Sequence, residues 1–354
     1  MQTVWWLRAH EIVDACAQRE ASDGLPMCYR LANGELIVDC EDEALERRFQ
    51  DVYGEAAVGG THSEAAHSVK CVVRVFDAAL AAVLFDDPEP LDAFAFCHSL
   101  FPDRDYVEGP AGAHGWRTIS LRQSPREPQI ALCDDHALVD RRQLWQPFIA
   151  NYALNRLLRL QREVLFFHAA SIGIEGRGAL IVGPKASGKT TTALALAARG
   201  HDFFGDEVAA VHSSTKAMLP FRRAVSIRAG PRARQVDDQL ASFRHARETF
   251  PDGSERILVK VGSLFPRRGA LPTTLSCVLF LRQFAELPTA ELFTFSFQHV
   301  RLLSPLAASM WGIPAGARIM DLSRLLQGVR CYFLDPARPE ATAELVEQIT
   351  VGAR

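Results

Sequence analysis

One short stretch of this sequence has the residue types and spacing of a phosphate-binding loop. Residues 183–190 read Gly-Pro-Lys-Ala-Ser-Gly-Lys-Thr, which fits the pattern G-x-x-x-x-G-K-[ST]. By chance, roughly one chain in a hundred of this length would match the pattern. Glycines let the backbone approach a phosphate closely, and successive backbone N–H groups present positive charge to it. The stretch therefore predicts a site for a nucleoside triphosphate.

The chemistry of this loop assigns roles to individual side chains. Lys189 is expected to reach the outer phosphates, and the Thr190 hydroxyl is expected to be a ligand of Mg²⁺. ATP and Mg²⁺ are therefore the expected substrate and cofactor. The residues predicted to bind them are Gly183, Pro184, Lys185, Ala186, Ser187, Gly188, Lys189, Thr190 and Thr191. The alternative is a glycine-rich connection between a strand and a helix.

The residues on either side of the loop predict the elements that must position it. Residues 179–182, Ala-Leu-Ile-Val, form a short apolar run typical of a buried strand. Residues 190–199 are rich in Ala and Leu and are followed by Gly200, which favours a helix that ends there. Strand, loop and helix follow one another in the order that phosphate binding requires.

Two adjacent carboxylates follow the predicted helix. Residues 202–204 predict a short strand that ends just before Asp206 and Glu207. A triphosphate site needs a carboxylate for the metal or for the proton of the acceptor hydroxyl. Asp206 and Glu207 are therefore candidate catalytic residues, with Asp206 also a metal ligand; an acidic turn is the alternative. Apolar runs ending in Asp further along the chain are weak, which favours this pair.

Other candidate side chains lie before and after the loop. His168 falls in the apolar run that precedes the loop strand, where a catalytic or positioning role and a purely structural one are equally plausible. Residues 229–256 are polar with mixed charges, which is typical either of a lid or acceptor-binding loop or of a plain surface loop. Several cations are candidates for clamping a phosphate: Arg222, Arg223, Arg228, Lys260, Arg267 and Arg268.

Composition limits the classes of function. The chain has 354 residues, is 48% hydrophobic and carries a net charge of −3, so it offers no electrostatic case for nucleic acid or an anionic membrane. No apolar run approaches the ~18 residues of a membrane span. The eight cysteines form no CxxC pair, and the N-terminus lacks signal-peptide features. We expect a cytoplasmic protein with reduced thiols and neither nucleic acid nor membrane as partner.

The first half of the chain predicts a separate module. Strands are predicted at residues 35–40, 69–76, 116–121 and 129–133, with irregular connections between them. A helix over residues 141–162 is predicted to lead into the nucleotide-binding part. We therefore expect a smaller β-rich or α+β domain over residues 1–140, which helps to hold the acceptor, and an α/β catalytic domain over residues 141–354.

The run from His168 to Val211 resembles the catalytic core of HPr kinase/phosphorylase and related kinases, including those that modify lasso-peptide precursors. That family has a histidine in the strand before the loop strand, then the loop and a short helix. Arg-Gly-His and a pair of carboxylates follow, and residues 199–201 and 206–207 fall at matching positions without a gap. The match is strong over about 45 residues and extends by strand order over residues 160–354.

The resemblance implies a fold and an activity. The fold would be a compact α/β P-loop kinase domain related to phosphoenolpyruvate carboxykinase, and the activity ATP-dependent phosphorylation of a protein serine. Lys189 would contact the β- and γ-phosphates, Thr190 would bind Mg²⁺, His168 would line the site, and the carboxylate pair would contain the general base. Relatives often assemble into oligomers, which makes a homo-oligomer one expectation.

The sequence also departs from the family. Glu207 stands where the family usually has a second aspartate, so either Asp206 is the base or the acceptor sits differently. The family's Glu-Ile-Arg-Gly-like stretch has no counterpart, and the first half does not resemble its regulatory domain. The leading hypothesis is a kinase acting on a hydroxyl of a peptide or protein. A nucleotide-gated ATPase that controls a partner and a small-metabolite kinase are the alternatives.

Overall fold

The computed structural model of the chain forms two compact units. One comprises residues 1–30, 34–50 and 57–160, and the other comprises residues 31–33, 51–56 and 161–354. The structure describes residues 27–40, 43–58, 67–76, 106–108, 117–121, 128–133, 136–140, 154, 157, 158, 161–228, 246–249, 255–265, 272–296, 299 and 319–352. Most of the predicted helix over residues 141–162, most of the predicted lid, and Arg267 and Arg268 lie outside these residues.

The first unit contains a seven-stranded sheet. Its strands are β1 (Met27–Leu31), β2 (Gly34–Cys40), β3 (His67–Phe76), β4 (Tyr106–Glu108), β5 (Arg117–Leu121), β6 (Pro128–Cys133) and β7 (His136–Asp140), in the order β1-β2-β3-β7-β6-β5-β4. Strand β3 pairs in parallel with β2 and β7 and carries four valines, which favour a pleated, half-buried surface. The four strands predicted here are confirmed; β1, β4 and β7 were not predicted.

The second unit is built on a six-stranded sheet in the order β11-β9-β10-β17-β19-β18. Its strands are β9 (Ala170–Ile174), β10 (Arg177–Val182), β11 (Asp202–Gly205), β17 (Thr274–Leu281), β18 (Thr289–Phe293) and β19 (Arg330–Asp335). The three central strands β10, β17 and β19 are parallel, whereas β9, β11 and β18 pair antiparallel. A tight turn at Glu175 and Gly176, both with positive φ, joins β9 to β10.

Both faces of this sheet are covered, which explains the continuous apolar runs in its central strands. The helices of the described residues are α1 (Glu43–Tyr53), α2 (Lys189–Ala198), α3 (Val261–Leu264), α4 (Ile319–Leu326) and α5 (Pro339–Val351), with a 3₁₀ turn at Gly54–Ala56. Side chains of α2 and α5 pack on one face, and Leu322, Leu325 and Leu326 of α4 pack on the other. None of the helices in the described part of the chain is long and apolar enough to cross a membrane.

Two three-stranded sheets complete the second unit. One joins β8 (Val164–Phe167), β12 (Ala209–His212) and β13 (Met218–Leu219), and the other joins β14 (Val225–Arg228), β15 (Ala246–Thr249) and β16 (Glu255–Val259). The first of them packs Leu165, Phe167 and Val211 against the same face of the central sheet as α4.

The apolar run before the loop strand is not one strand, which corrects the sequence interpretation. Strand β8 pairs antiparallel with β12, whereas β9 pairs with β10 and β11 in the central sheet. The chain bends between them at His168 and Ala169, where the Ala169 N–H donates to the Phe167 carbonyl at 2.9 Å. His168 therefore lies at a bend between two sheets and not within a strand.

Candidate active site

The glycine loop connects β10 to α2 in the order that the motif requires. Gly188 has a φ of 100° and Ala186 a φ of 67°, so the loop passes twice through the left-handed region. A Cβ on Gly183 would lie 2.7 Å from Ser187 Oγ and 3.2 Å from the Leu281 carbonyl oxygen. Close packing therefore favours glycine at position 183, and backbone geometry favours it at 188.

Lys189 lies inside the loop. Its ammonium donates to the carbonyl oxygens of Gly183 at 2.8 Å and Pro184 at 3.1 Å. Burial lowers the pKa of this lysine, while the negative charges of Glu207 and Asp206 oppose the shift. The charge sits where it can meet a phosphate held by the loop.

Ser187 supplies an unused hydroxyl to the same loop. The residue is 6% exposed, and its Oγ finds no hydrogen-bond partner among the described residues. A buried polar atom without a partner is costly. A phosphate oxygen would supply the missing acceptor, so the loop fits the group that its sequence predicts.

Asp206 lies against the first turn of α2. The Thr190 hydroxyl donates to Asp206 Oδ2 at 2.7 Å, and Asp206 is only 2% exposed. Burial raises the pKa of Asp206 to about 6, with the neighbouring Glu207 charge the next contribution, and the Thr190 hydrogen bond opposes both. The structure thus brings together the two residues predicted to hold the metal.

These two oxygens fit Mg²⁺. Neighbouring ligands of an octahedral Mg²⁺ lie roughly 3 Å apart, close to the 2.7 Å between Thr190 Oγ1 and Asp206 Oδ2. Mg²⁺ usually takes one or two protein ligands and completes its shell with water and substrate phosphates. Within the described residues, no group of three or more His, Cys, Asp or Glu side chains is placed to hold a metal.

Strand β11 positions Asp206 through tight backbone packing. It pairs antiparallel with β9, with an irregular register before Gly205, and the Ser171 hydroxyl donates to the Gly205 carbonyl at 3.3 Å. A Cβ on Gly205 would lie 2.6 Å from the Phe221 carbonyl oxygen and 2.7 Å from that of Val208. The chain can therefore turn from β11 into the carboxylate pair only with glycine at this position.

His168 and Glu207 form the second pair of the site. Nδ1 of His168 lies 3.1 Å from the Glu207 carbonyl oxygen and 3.4 Å from its carboxylate Oε2. Burial lowers the pKa of His168, opposed by the Glu207 charge, and a neutral ring donates its Nδ1–H to this carbonyl. Glu207 has a φ of 66°, and its side chain is 35% exposed. The histidine thus fixes the backbone of Glu207, whose carboxylate is more accessible than that of the neighbouring Asp206.

Among the described residues, the arginines and the lysine that were candidates for clamping a phosphate lie in different parts of the second unit. The Arg223 charge contributes to the lowered pKa of His168, and its Nε is buried without a hydrogen-bond partner in the described part of the chain. Arg222 instead lines a cavity with His201 and Glu55 at the far end of α2. Lys260 directly precedes α3. Of the neighbours Arg222 and Arg223, it is therefore Arg223 whose charge acts on His168 of the site.

The Arg-Gly-His residues after α2 are not part of the site. Arg199 binds Glu347 of α5 through two contacts of 2.6 and 2.8 Å, and His201 Nε2 lies 2.6 Å from the same carboxylate. They tie the C-terminal end of α2 to α5. Their role is to fix the helix whose first turn carries Lys189 and Thr190.

One side chain at the loop was not predicted. Phe284, in the connector between β17 and β18, is 51% exposed, and its Cζ lies 3.2 Å from the position of a Cβ on Gly188. No sequence motif marks this connector, so only its position after the buried strand β17 could have pointed to Phe284.

Fold and site together define a mixed α/β protein with a glycine loop between a parallel strand and a helix, and two carboxylates beside it. No family model matches the chain, and no curated protein matches it. Among solved structures, the HPr(Ser) kinase/phosphatase from Coxiella burnetii is similar at 14% identity, over 52% of this chain and 92% of that chain, with a TM-score of 0.26.

Proposed function

We propose that this protein is a kinase that uses ATP and Mg²⁺ to phosphorylate a hydroxyl, that of serine, in a peptide or protein. The observation that carries the proposal is the 2.7 Å hydrogen bond between Thr190 of the loop helix and Asp206, with Glu207 next in the chain. This contact supports a site in which Thr190 and Asp206 would hold the metal and the partly exposed carboxylate of Glu207 would lie beside the bound phosphates. The sequence motif, the burial of Asp206 and the charges around Lys189 all support phosphate and metal binding by these residues.

The loop residues bind and orient the phosphates of ATP. Backbone N–H groups and the Ser187 hydroxyl donate to phosphate oxygens, and Lys189 exchanges the carbonyls of Gly183 and Pro184 for the outer phosphates. Thr190 and Asp206 would hold Mg²⁺, which neutralises phosphate charge when bound. Positioning and charge neutralisation provide most of the catalysis in phosphoryl transfer.

Glu207 is assigned as the general base and Asp206 as the metal ligand. Asp206 is buried and bonded to Thr190, whereas the Glu207 carboxylate is partly exposed beside His168. As the serine oxygen forms its bond to the γ-phosphorus, the bond to the ADP oxygen breaks and the serine proton passes to Glu207. His168 is a positioning residue for Glu207, and Arg223, whose charge acts on His168, would add positive charge near the site.

Transfer of labelled γ-phosphate tests the proposal. The acceptors are serine peptides encoded by neighbouring genes and a degenerate serine-peptide library. Lys189→Ala is expected to abolish ATP binding and transfer together. Glu207→Gln is expected to retain ATP binding and to lower the transfer rate by about 10²- to 10⁴-fold, the usual contribution of a general base.

A matched control is Glu340→Gln, an exposed carboxylate in the first turn of α5, which is expected to leave binding and transfer unchanged. Release of phosphate from ATP with no labelled acceptor would contradict the kinase and favour a nucleotide-gated ATPase. Label on a small metabolite but on no peptide would contradict the peptide acceptor alone.

A further inference from the structure

The connector between β17 and β18 leaves the central sheet beside the phosphate loop. Strand β17 is the parallel neighbour of β10, with Val182 opposite Phe280. The phosphate loop and the connector therefore leave the sheet at the same edge, at the carboxyl ends of these two strands. The connector exposes two large apolar side chains, Phe284 at 51% and Leu287 at 74%. Ligands of parallel α/β sheets bind at this edge, outside the carboxyl ends of the strands.

The ring of Phe284 lies close to the phosphate loop. Its Cζ and Cε1 lie 3.2 and 3.6 Å from the position of a Cβ on Gly188, the residue before Lys189. The other exposed large apolar side chains of the described residues, Leu292 and Met320, lie on β18 and α4. Phe284 therefore stands out by its closeness to Gly188 and not by exposure alone.

The connector is held in place on both sides of Phe284. The Arg282 N–H donates to the Leu334 carbonyl at 2.9 Å, and the Ala285 N–H donates to the Pro336 carbonyl at 2.9 Å. The Arg282 guanidinium also binds both carboxylate oxygens of Asp335, at 3.0 and 2.6 Å. The backbone that carries Phe284 is therefore ordered before a ligand binds, which lowers the entropy cost of stacking on its ring.

We propose that Phe284, with Leu287 three residues further along the connector, is the platform on which the base of the nucleotide stacks. The inference rests on the proposed function, because it assumes that the loop binds a nucleoside triphosphate. Beyond the phosphates such a ligand carries a flat base with an apolar face. Aromatic rings bind such faces by offset stacking. Because every base has such a face, this platform favours nucleotides over bare polyphosphate without choosing between adenine and guanine.

The test compares ligands with and without a base. In the full-length protein with Mg²⁺, Phe284→Ala is expected to raise the Kd of ATP and GTP by about 5- to 150-fold, the range for losing one stacked base. The Kd of inorganic tripolyphosphate is expected to stay unchanged. Phe284→Trp is expected to retain ATP affinity, and Leu292→Ala, an exposed apolar control on β18, is expected to change neither ligand.

Each other outcome overturns the proposal in a recognisable way. An equal loss for ATP and tripolyphosphate would mean that Phe284 only shapes the loop through Gly188. An unchanged ATP Kd with a raised KM for the acceptor peptide would place the ring on the acceptor side. If Phe284→Ala changes nothing while Lys189→Ala weakens both ligands, the base platform fails and the phosphate site stands. If Lys189→Ala weakens neither, the proposed function itself fails.

Discussion

At the scale of single residues, adjacent carboxylates occupy different environments. Asp206 is 2% exposed and accepts the Thr190 hydroxyl, and burial raises its pKa to about 6. Glu207 turns through a positive φ and presents a partly exposed carboxylate beside His168. Groups whose surroundings differ in this way are suited to different tasks. The order of residues in the chain alone left open which carboxylate would be the base.

The buried carboxyl of Asp206 predicts a pH-dependent stability. Its pKa rises from an ordinary 3.8 to about 6 on folding, so between these values the folded chain binds more protons than the unfolded one. Stability in the absence of Mg²⁺ therefore falls as pH rises through this window, and stays lower above it. Asp206→Asn removes the charge and keeps an acceptor for Thr190. Its Tm is expected to exceed that of the wild type near pH 7.5 and to match it near pH 4, by calorimetry.

The control for this comparison is Asp202→Asn, at the other end of β11, which is expected to show no such pH-dependent gain. A lower Tm of Asp206→Asn near pH 7.5 would contradict the prediction, because the bond from Thr190 would then outweigh the cost of burial.

At the scale of elements, the turn that follows β11 determines where the carboxylates lie. Gly205→Ala places a methyl group 2.6 and 2.7 Å from two backbone oxygens, neither of which can move alone. We expect it to destabilise the fold by about 1–3 kcal/mol, as overpacking does, and to weaken binding of Mg²⁺ with ATP. Denaturant unfolding and ATP titration with Mg²⁺ measure the two effects.

Gly328→Ala serves as the control for that substitution. A Cβ there meets nothing within 4 Å, although its φ of 75° adds strain. It is expected to lower stability modestly and to leave ATP binding intact. Equal loss of ATP binding in both variants would show that general destabilisation, and not the position of Asp206, is responsible.

The sequence predicted these elements where the signals are local. The apolar run of β10, the glycines of the loop and the Ala- and Leu-rich helix lie next to one another, and α2 ends at Ala198 close to the expected Gly200. The break at His168 was missed because β8 does not join the central sheet but pairs with β12, whose residues lie 42 to 48 positions later in the chain. Phe284 and Glu55 were missed because each acts through tertiary contacts that no local pattern encodes.

At the scale of the whole molecule, the second unit includes two short segments from the first sixty residues. The Ala32 N–H donates to the Pro220 carbonyl at 2.8 Å, and the Ala224 N–H donates to the Val52 carbonyl at 2.7 Å. The Glu55 carboxylate accepts the N–H groups of Val261, at 2.9 Å, and Gly262. The predicted boundary at residue 141 stays a prediction, but a fragment that begins there would lack these bonds.

Glu55 provides a test in the full-length chain. Glu55→Ala removes the acceptor for two backbone donors of α3 and is expected to lower stability by about 1–3 kcal/mol. Glu55→Gln keeps one oxygen and is expected to lose less. The midpoint of thermal unfolding measures both, with Glu46→Ala on the exposed side of α1 as the neutral control. An unchanged midpoint in Glu55→Ala would show that the segment contributes nothing to the second unit.

The hairpin of β9 and β10 has a consequence for the order in which the protein folds. Its turn at Glu175 and Gly176 closes with few intervening residues, whereas pairing β10 with β17 must close a loop of about ninety. Short loops cost less entropy and form sooner. Because His168, the glycine loop and Glu207 span a single run of 40 residues, the chemical groups of the site can gather during synthesis, before the later strands leave the ribosome.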